Sequence, residues 1–228
     1  SRDIERKIAG QPDLNALLRR ELFNAGRVLA QDRRQRGRKL YSLHAPEVEC
    51  IGKGKAHKPY EFGVKVSVTT TVRRSRGGQF VLHAKALRGN PYDGHTLGLV
   101  IADLEGLTGV AVRRIHGDKG YRGHGCPAPY SMRVYVSEQK RGVTRAIKRE
   151  LKRRAAVEPV IGHLKSDHRM DRNYLIGSHG DAANAVLAAV GYNFARLLGW
   201  LRQLLCALLS LLITARSHRT PALSIYAG

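Results

Sequence analysis

The stretch YEFGVKVSV, residues 60–68, alternates apolar and polar side chains and therefore predicts a half-buried β-strand. Residues 72–78, VRRSRGG, are typical of a turn. Residues 79–87, QFVLHAKAL, then predict the returning strand of an antiparallel hairpin. Further short strands are predicted at residues 110–115 and 132–137. This part of the chain therefore favours a sheet.

Helical patterns surround these strands. Residues 1–39 repeat apolar side chains at helical spacing and end in the basic run RRQRGRK. The turn cluster GNPYDG starts a helix over residues 95–107, a basic helix covers residues 143–165, and a last helix covers residues 180–213. The order β-β-α-β-β-α-α predicts an α/β fold, a mixed sheet flanked by helices.

The composition constrains the partners of the chain. The 228 residues include 40 Lys and Arg against 18 Asp and Glu, a net charge of +22, and 43% are hydrophobic. That apolar content excludes wholesale disorder. A protein this basic is expected to bind a polyanion, with nucleic acid the first candidate and an anionic membrane the second. Three widely spaced cysteines form no disulfide framework, which favours a reducing cytoplasm.

One apolar segment, residues 185–213, resembles a membrane span. Arg196 and Arg202 interrupt it, and the stretches between charges are far shorter than the ~20 residues that a span needs. The sequence therefore favours a helix that is buried or faces a partner, and no membrane association.

Asp118 lies in HGDKGYRG, at the carboxyl end of a predicted strand. Ligands bind at this edge in open α/β sheets. The flanking glycines let the backbone bend around the carboxylate, and Lys119, Tyr121 and Arg122 supply groups suited to a phosphodiester. A turn aspartate that only hydrogen-bonds its own loop gives the same pattern. The local sequence leaves the two interpretations equal.

Glu158 is the second candidate. On a helix, Arg154, Glu158 and Lys165 share one face. A plain intrahelical ion pair is the more common reason for such a pattern, but Pro159 predicts a bend next to this carboxylate. Two carboxylates from separate elements in a basic surface indicate phosphoryl chemistry with Mg²⁺ or Mn²⁺, although three acids are usual. A zinc site built from His116, His124 and Cys126 is disfavoured by their spacing.

Residues 140–154, KRGVTRAIKRELKRR, hold eight Lys and Arg and one acid. Such a run either contacts phosphates or forms a solvated helix face, and the net charge favours DNA. No nucleotide-binding glycine motif occurs in the chain. Besides Arg154, the predicted DNA-binding residues of this run are Lys140, Arg141, Arg145, Lys148, Arg149, Lys152 and Arg153.

Two motifs together resemble a known family. GDKGYRG and RRAAVEPVIGHLKSDHRMDRNYL are similar to the second and third acidic motifs of bacterial insertion-sequence transposases of the DDE type. The third motif of that family runs Arg, three residues, Glu, six residues, Lys, which Arg154, Glu158 and Lys165 match. The tyrosine that often precedes the arginine is Leu151 here. The resemblance extends over most of residues 40–205.

This resemblance implies a ribonuclease-H-like catalytic core that cleaves and transfers DNA strands at the ends of a mobile element. It implies that Asp118 and Glu158 are catalytic and hold Mg²⁺ or Mn²⁺. Arg154 and Lys165 would hold phosphates, and Lys119, Tyr121 and Arg122 would line the approach. The expected partners are double-stranded DNA, with its terminal inverted repeats, and further copies of the chain in a homo-oligomer. The expected location is the bacterial cytoplasm, associated with the nucleoid.

The first acidic residue of the family has no match here. The acids before Tyr41 all lie in helical sequence, so we expect the first core strand and its aspartate to be missing from this chain. Without that ligand, we expect metal binding and strand cleavage to be lost or severely reduced. Two alternatives stay open: a catalytically dead DNA-binding remnant that occupies element ends, and a basic RNA-binding structural protein. The expected organisation is a basic helical segment (1–39), a partial catalytic core (40–178), an apolar helix (179–215) and a tail (216–228).

Overall fold

A computed structural model describes residues 2–37, 39–54, 56–73, 75–125 and 132–217. The helices are α1 (Arg2–Ile8), α2 (Pro12–Ala30), α3 (Asp93–Thr108), α4 (Arg145–Arg154), α5 (Val157–Ser166) and α6 (Gly177–Ser217). The strands are β1 (Glu49–Gly52), β2 (Tyr60–Gly63), β3 (Lys65–Thr70), β4 (Val81–Leu87), β5 (Arg114–Gly117) and β6 (Arg133–Val136). The predicted α/β class is confirmed at this level.

The strands pair two by two. β1 and β2 are antiparallel, β3 and β4 form the predicted antiparallel hairpin, and β5 and β6 are parallel. Within the described ranges the strands thus make three small sheets, where the sequence predicted one mixed sheet. In the parallel pair Gly117 lies opposite Val136, so the residues that follow both strands leave from the same edge.

The predicted strand over residues 60–68 is two strands in two different sheets. The break falls at Gly63, whose φ of 144° lies outside the usual range of other residues. The alternation of side chains continues across this glycine, so a period of two could not reveal that the chain changes partner there. β1, which pairs with the first half, was not predicted.

The basic helix predicted over residues 143–165 is also divided. α4 ends at Arg154 and α5 begins at Val157, two residues before Pro159. Proline has no N–H to donate to the carbonyl of Ala155, and that carbonyl accepts from the backbone N–H of Glu158 at 3.2 Å instead. The predicted bend is therefore a full break, and it places Glu158 in the first turn of α5.

The core lies where α5 and the first half of α6 pack on β4. Leu164 is 0% exposed, and Ile101 of α3, which also packs on β4, is 1% exposed. Small residues let α6 approach the sheet closely. The main cluster contains Val81, Ala84, Val160, Leu164, Ala185, Ala188, Ala189 and Tyr192.

The second half of α6 leaves this core. Residues 201–216 are all exposed. By length and composition alone, α6 is long and apolar enough to cross a membrane: its most apolar stretch has a mean hydropathy of 1.8, and none of that stretch is buried. The helix expected to be buried or partner-facing is thus buried only along its first half.

Candidate functional site

Asp118 follows β5 directly and begins a short 3₁₀ turn, Lys119–Tyr121. One of its carboxylate oxygens, Oδ1, accepts a hydrogen bond from the backbone N–H of Gly120 at 2.9 Å. The side chain is exposed at the edge where β5 and β6 both end. Asp118 is therefore a turn aspartate, as one interpretation held, and it also faces solvent at the edge where the other interpretation places a ligand.

A second carboxylate, that of Asp93, lies at the same corner. A Cβ added to Gly120 would collide with Oδ2 of Asp93 and would lie 3.1 Å from Oδ1 of Asp118, so both carboxylates border one small space. The other oxygen of Asp93, Oδ1, is 2.7 Å from Nζ of Lys65. Asp93 is in the first turn of α3, where the helix dipole favours a negative charge.

Tyr121 fills the space beneath this corner. Its ring lies against Gly117, where an added Cβ would be 2.8 Å from Cδ2 of the ring. Burial raises the pKa of the Tyr121 hydroxyl, the carboxylate of Asp93 raises it further, and a hydrogen bond with Ser67 of β3 opposes the shift. The residue expected to line a DNA approach thus joins the end of β5 to β3.

Hydrogen bonds connect the end of β5 to Arg154 of α4, and an ion pair connects Arg154 to Glu158 of α5. The carbonyl of Gly117 accepts from the backbone N–H and the hydroxyl of Ser137, both at 3.1 Å. Nη1 of Arg154 donates to the Ser137 hydroxyl at 2.9 Å, and Nη2 of Arg154 is 3.6 Å from Oε1 of Glu158. Arg154, one-fifth exposed, therefore contacts Glu158 and, through Ser137, the backbone of the residue before Asp118.

Glu158 itself is open to solvent, with 73% of its side chain exposed. Lys165 lies two turns further along α5, and its Nζ is 3.7 Å from Oε2 of Glu61 on β2. Lys53 pairs with the same carboxylate oxygen at 2.9 Å, and its hydrogen bond lowers the pKa of Glu61. The predicted Arg154–Glu158 pair is therefore present, whereas Lys165 faces a different acid.

Lys119 and Arg122, the two cations that follow Asp118, contact different parts of the protein. Nζ of Lys119 is 2.8 Å from Oε2 of Glu138, which lies just after β6, and this hydrogen bond lowers the pKa of Glu138. Arg122 is exposed, and its carbonyl accepts from the hydroxyl of Tyr92 at 2.7 Å. That bond holds the loop after Asp118 against the beginning of α3.

α4 presents a basic face to solvent. Thr144 caps the helix by accepting from the backbone N–H of Ile147 at 3.4 Å, and Ile147 is buried. Glu150, the acid of the run, turns inward and pairs with His116 at 3.0 Å and Arg114 at 3.4 Å. Within the described ranges none of the outward cations is in a salt bridge. They are Arg145, Lys148, Arg149, Lys152 and Arg153 on the helix and Lys140 and Arg141 just before it, all exposed.

The described part of the chain contains no zinc site formed by His116, His124 and Cys126. His116 is nearly buried, stacks on Tyr135 with ring centroids 5.5 Å apart, and bonds Glu150. Cys126 lies outside the described residues. In the part of the chain that the structure describes, no group of three His, Cys, Asp or Glu side chains is arranged to hold a metal ion.

Two buried histidines make stability depend on pH. Burial lowers the pKa of His83 and of His116, although Asp103 and Glu150 oppose these shifts. The folded state therefore binds protons more weakly than the unfolded chain. The stability that these two neutral histidines contribute should be fully present above about pH 6.5. It should be lost as the pH falls below that value, by about 1.4 kcal/mol for each unit by which folding lowers a pKa.

We expect the melting temperature to fall between pH 7.5 and pH 5.5, and the double variant His83→Gln/His116→Gln to show a smaller fall. Thermal melts followed by circular dichroism measure both. His57→Gln, an exposed position, is the matched control and should keep the slope of the unmodified chain. An unchanged slope in the double variant would contradict this assignment.

A comparison with known families gives a match over the part of the chain that contains α4 and α5. Residues 128–198 match the model of the transposase DDE domain family. The match supports the resemblance to a DDE-type transposase over part of the chain. It includes Arg154, Glu158 and Lys165, while Asp118 precedes it. No match to the chain was found among the curated proteins or among the solved structures.

Sequence reasoning missed three residues of this site. Asp93 was assigned only to a turn cluster, because an acid at the start of a helix is ordinarily explained by the helix dipole alone. Ser137 follows a strand parallel to β5, and the shared edge of parallel strands was the available signal. Glu61, the partner of Lys165, gave no signal because only the folded chain brings β2 to α5.

Proposed function

We propose that this chain acts in DNA transposition, as the part of a metal-dependent strand-cleaving and strand-transferring core that carries the second and third acidic residues. The family match at residues 128–198 supports transposition as the general role. We further propose that the chain works on duplex DNA with terminal inverted repeats, as a homo-oligomer, in the bacterial cytoplasm at the nucleoid.

The observation that carries the proposal is that Arg154 both hydrogen-bonds Ser137 and forms an ion pair with Glu158. Asp118 and Glu158 are 40 residues apart and stand on separate elements. The guanidinium of Arg154 binds Ser137, next to the Asp118 strand, and also pairs with Glu158. A structural ion pair on a helix needs no second anchor at a strand end. This anchor supports a shared role for the two acids.

The side chains fit a divalent cation by donor chemistry. Carboxylate oxygens are the ligands that Mg²⁺ and Mn²⁺ prefer, and Asp93 places a second carboxylate beside Asp118. Asp118 and Glu158 would hold the ions. When bound, such ions activate the attacking water or 3′-hydroxyl and stabilise the leaving oxygen. Arg154 and Lys165 would bind the phosphates that flank the reacting bond.

The exposed face of α4 supports DNA as the substrate. Its five outward cations precede the helix break that carries Glu158, and Glu150 is turned away from them; Lys140 and Arg141 add two more exposed cations just before the helix. Repulsion of phosphates by that acid is therefore small. The neutralisation of several phosphates by such a face provides affinity without base specificity.

We also propose that the complete core is ribonuclease-H-like. In the described ranges β3 pairs only with β4, and β5 only with β6, while Tyr121, which follows β5, lies near Ser67 of β3. One strand between β3 and β5 would join the two pairs into a five-stranded sheet. This arrangement supports a place for the first core strand and its acid.

Metal binding tests the proposal directly. We expect Asp118→Asn and Glu158→Gln each to weaken binding of Mn²⁺ about tenfold or more, because each removes one charged oxygen donor. Isothermal titration of the chain with Mn²⁺ measures the change. Asp13→Asn removes an exposed carboxylate from α2 and should leave the affinity unchanged. Equal effects of all three substitutions would contradict a site at Asp118 and Glu158.

A nicking assay on labelled duplex DNA separates the alternatives. Cleavage with Mn²⁺ or Mg²⁺ that disappears in Asp118→Ala indicates the enzyme. Duplex binding without cleavage favours the catalytically dead remnant that occupies element ends. The wide exposure of Glu158 is the observation that favours this second candidate. Tight RNA binding that is indifferent to Glu158→Ala would support a structural RNA-binding protein and overturn the proposal.

A further inference from the structure

The short connection between α5 and α6 displays two large apolar side chains. Tyr174 is 74% exposed and Ile176 is 81% exposed. Among the described residues, Tyr174 is the most exposed aromatic side chain and Ile176 the most exposed large aliphatic one. We call residues 173–176 the tyrosine loop. Single apolar residues on a surface are ordinary, but two in one loop indicate a contact surface.

The first half of the tyrosine loop is held by its own asparagine. The side-chain amide of Asn173 donates to Oδ1 of Asp181 in α6 at 2.8 Å. The side-chain oxygen of Asn173 accepts from the backbone N–H of Leu175 at 2.9 Å. These two bonds lie on either side of Tyr174 and therefore fix the backbone that carries its ring.

The second half of the loop is held by packing and by a distant acid. Leu175 lies against the buried Gly180, where an added Cβ would be 2.8 Å from the Cβ of Leu175. The backbone N–H of Gly177 donates to Oε1 of Glu47 at 2.7 Å. Leu175 thus turns toward α6, while its two neighbours face solvent in a fixed direction.

The loop continues the helix that carries Glu158 and Lys165. The backbone N–H of Met170 donates to the carbonyl of Leu164 at 2.9 Å, which holds the chain after α5 against the end of that helix. From Glu158 to Ser166 the helix is about 12 Å long. That length equals roughly three to four nucleotide steps of a DNA strand. A strand that runs along α5 from Glu158 therefore reaches the loop after a few nucleotides.

The charges around the loop are nearly balanced. Arg169 and Arg172 are exposed, and so is Asp171 between them. The loop therefore adds little attraction for phosphates beyond that of α4. Its main feature is apolar surface. The faces of the bases are the apolar part of a nucleic acid, and they stack on exposed aromatic side chains. Aliphatic side chains insert between base steps and separate them.

We propose that the tyrosine loop binds an unpaired base of the DNA close to the reacting bond. The ring of Tyr174 stacks on the face of that base, and Ile176 fills the gap between the neighbouring bases. The faces of paired bases are covered by their neighbours in the stack, so the loop selects DNA in which a pair has opened. This inference rests on the proposed action on DNA and adds to it a contact that reads the state of the bases.

Other occupants fit the loop less well. A stable protein interface buries about 800 Å² on each partner, far more than two side chains provide. One base, in contrast, is similar in size to the ring of Tyr174. The exposed carboxylate of Asp171 lies beside the loop and disfavours an anionic lipid surface.

Fluorescence anisotropy of the full chain with two labelled duplexes tests the contact. One duplex is fully paired, and the other has the same length and two unpaired bases within four positions of its end. We expect the unmodified chain to bind the second duplex about tenfold more tightly, which is typical of one base stacked on an aromatic ring. Tyr174→Ala should bind both duplexes equally. Tyr174→Phe keeps the ring and should keep the preference.

Two controls separate stacking from charge and from folding. Phe23→Ala removes an aromatic side chain of α2 that is 66% exposed, and it should keep the preference. Tyr174→Ala should leave the salt slope for the paired duplex unchanged, because stacking releases no counterions. Its circular dichroism melt should match that of the unmodified chain, since the ring is exposed.

The outcomes distinguish the loop from the rest of the interface. Equal binding of the two duplexes by the unmodified chain, or a preference that survives Tyr174→Ala, overturns the stacking contact and leaves DNA binding by α4 intact. Loss of the preference in Phe23→Ala as well overturns it too. A chain that binds neither duplex refutes both this contact and the proposed function. Sedimentation with vesicles that depends on Tyr174 replaces the base with a lipid surface.

Discussion

Replacement of Arg145, Lys148, Arg149 and Lys152 with glutamine should abolish most binding to duplex DNA. The four side chains form an outward stripe on α4, at helical positions i, i+3, i+4 and i+7. If each contacts one phosphate, the salt slope falls by about 0.9 per contact, and affinity near 0.1 M salt falls roughly a hundred- to a thousandfold. Fluorescence anisotropy of a labelled duplex, titrated at several salt concentrations, measures both quantities.

The matched control removes four exposed cations elsewhere. Arg2, Lys7, Arg19 and Arg27 stand on α1 and α2, and their replacement with glutamine changes the net charge by the same amount. This variant should keep most of the affinity and most of the slope. Equal losses in the two variants would mean that DNA responds to overall charge and that α4 is not the interface.

Leu164→Ala should cause the largest loss of stability in the chain. Leu164 of α5 is 0% exposed and packs with residues of β4 and α6. Removal of such a buried leucine side chain costs about 3 kcal/mol or more, since the surrounding helices cannot fully close the cavity. For a protein of this size, that lowers the melting temperature by roughly 6–12 °C. Thermal melts and urea titrations measure the change.

Leu17→Ala removes the same atoms from an exposed position on α2 and is the control. Its melting temperature should match that of the unmodified chain within about 1 °C, because removal of an exposed side chain changes the free energy of unfolding by only about 0.3 kcal/mol. If both variants lose equal stability, the packing of α5 on α6 is not what holds the fold. Because α5 carries Glu158 and Lys165, a real loss at Leu164 should also weaken Mn²⁺ binding.

Local patterns predicted the elements whose signal is periodic. The hairpin of β3 and β4, α3 and α6 all follow from apolar spacing or turn residues inside their own segments. The break between α4 and α5 was predicted only as a bend. Pro159 causes the break because it cannot donate a hydrogen bond to the carbonyl four residues before it. The helix is therefore interrupted ahead of the proline.

The rest of the site depends on contacts between distant segments. Asp93 meets Asp118 only because Tyr92 holds the loop after β5 against α3. Arg154 meets Ser137 only because β5 and β6 are parallel. The members of each pair are too far apart in the sequence for a local pattern to predict their contact. The motif spacing of Arg154 and Glu158 could be predicted because both lie on adjoining turns of one segment.

The free half of α6 also has a hydrodynamic consequence. Sixteen exposed helical residues, 201–216, extend about 24 Å at 1.5 Å per residue. A stiff projection of this length increases frictional drag without adding much mass. A single copy should therefore elute ahead of a compact protein of 25.3 kDa and should sediment more slowly than that protein.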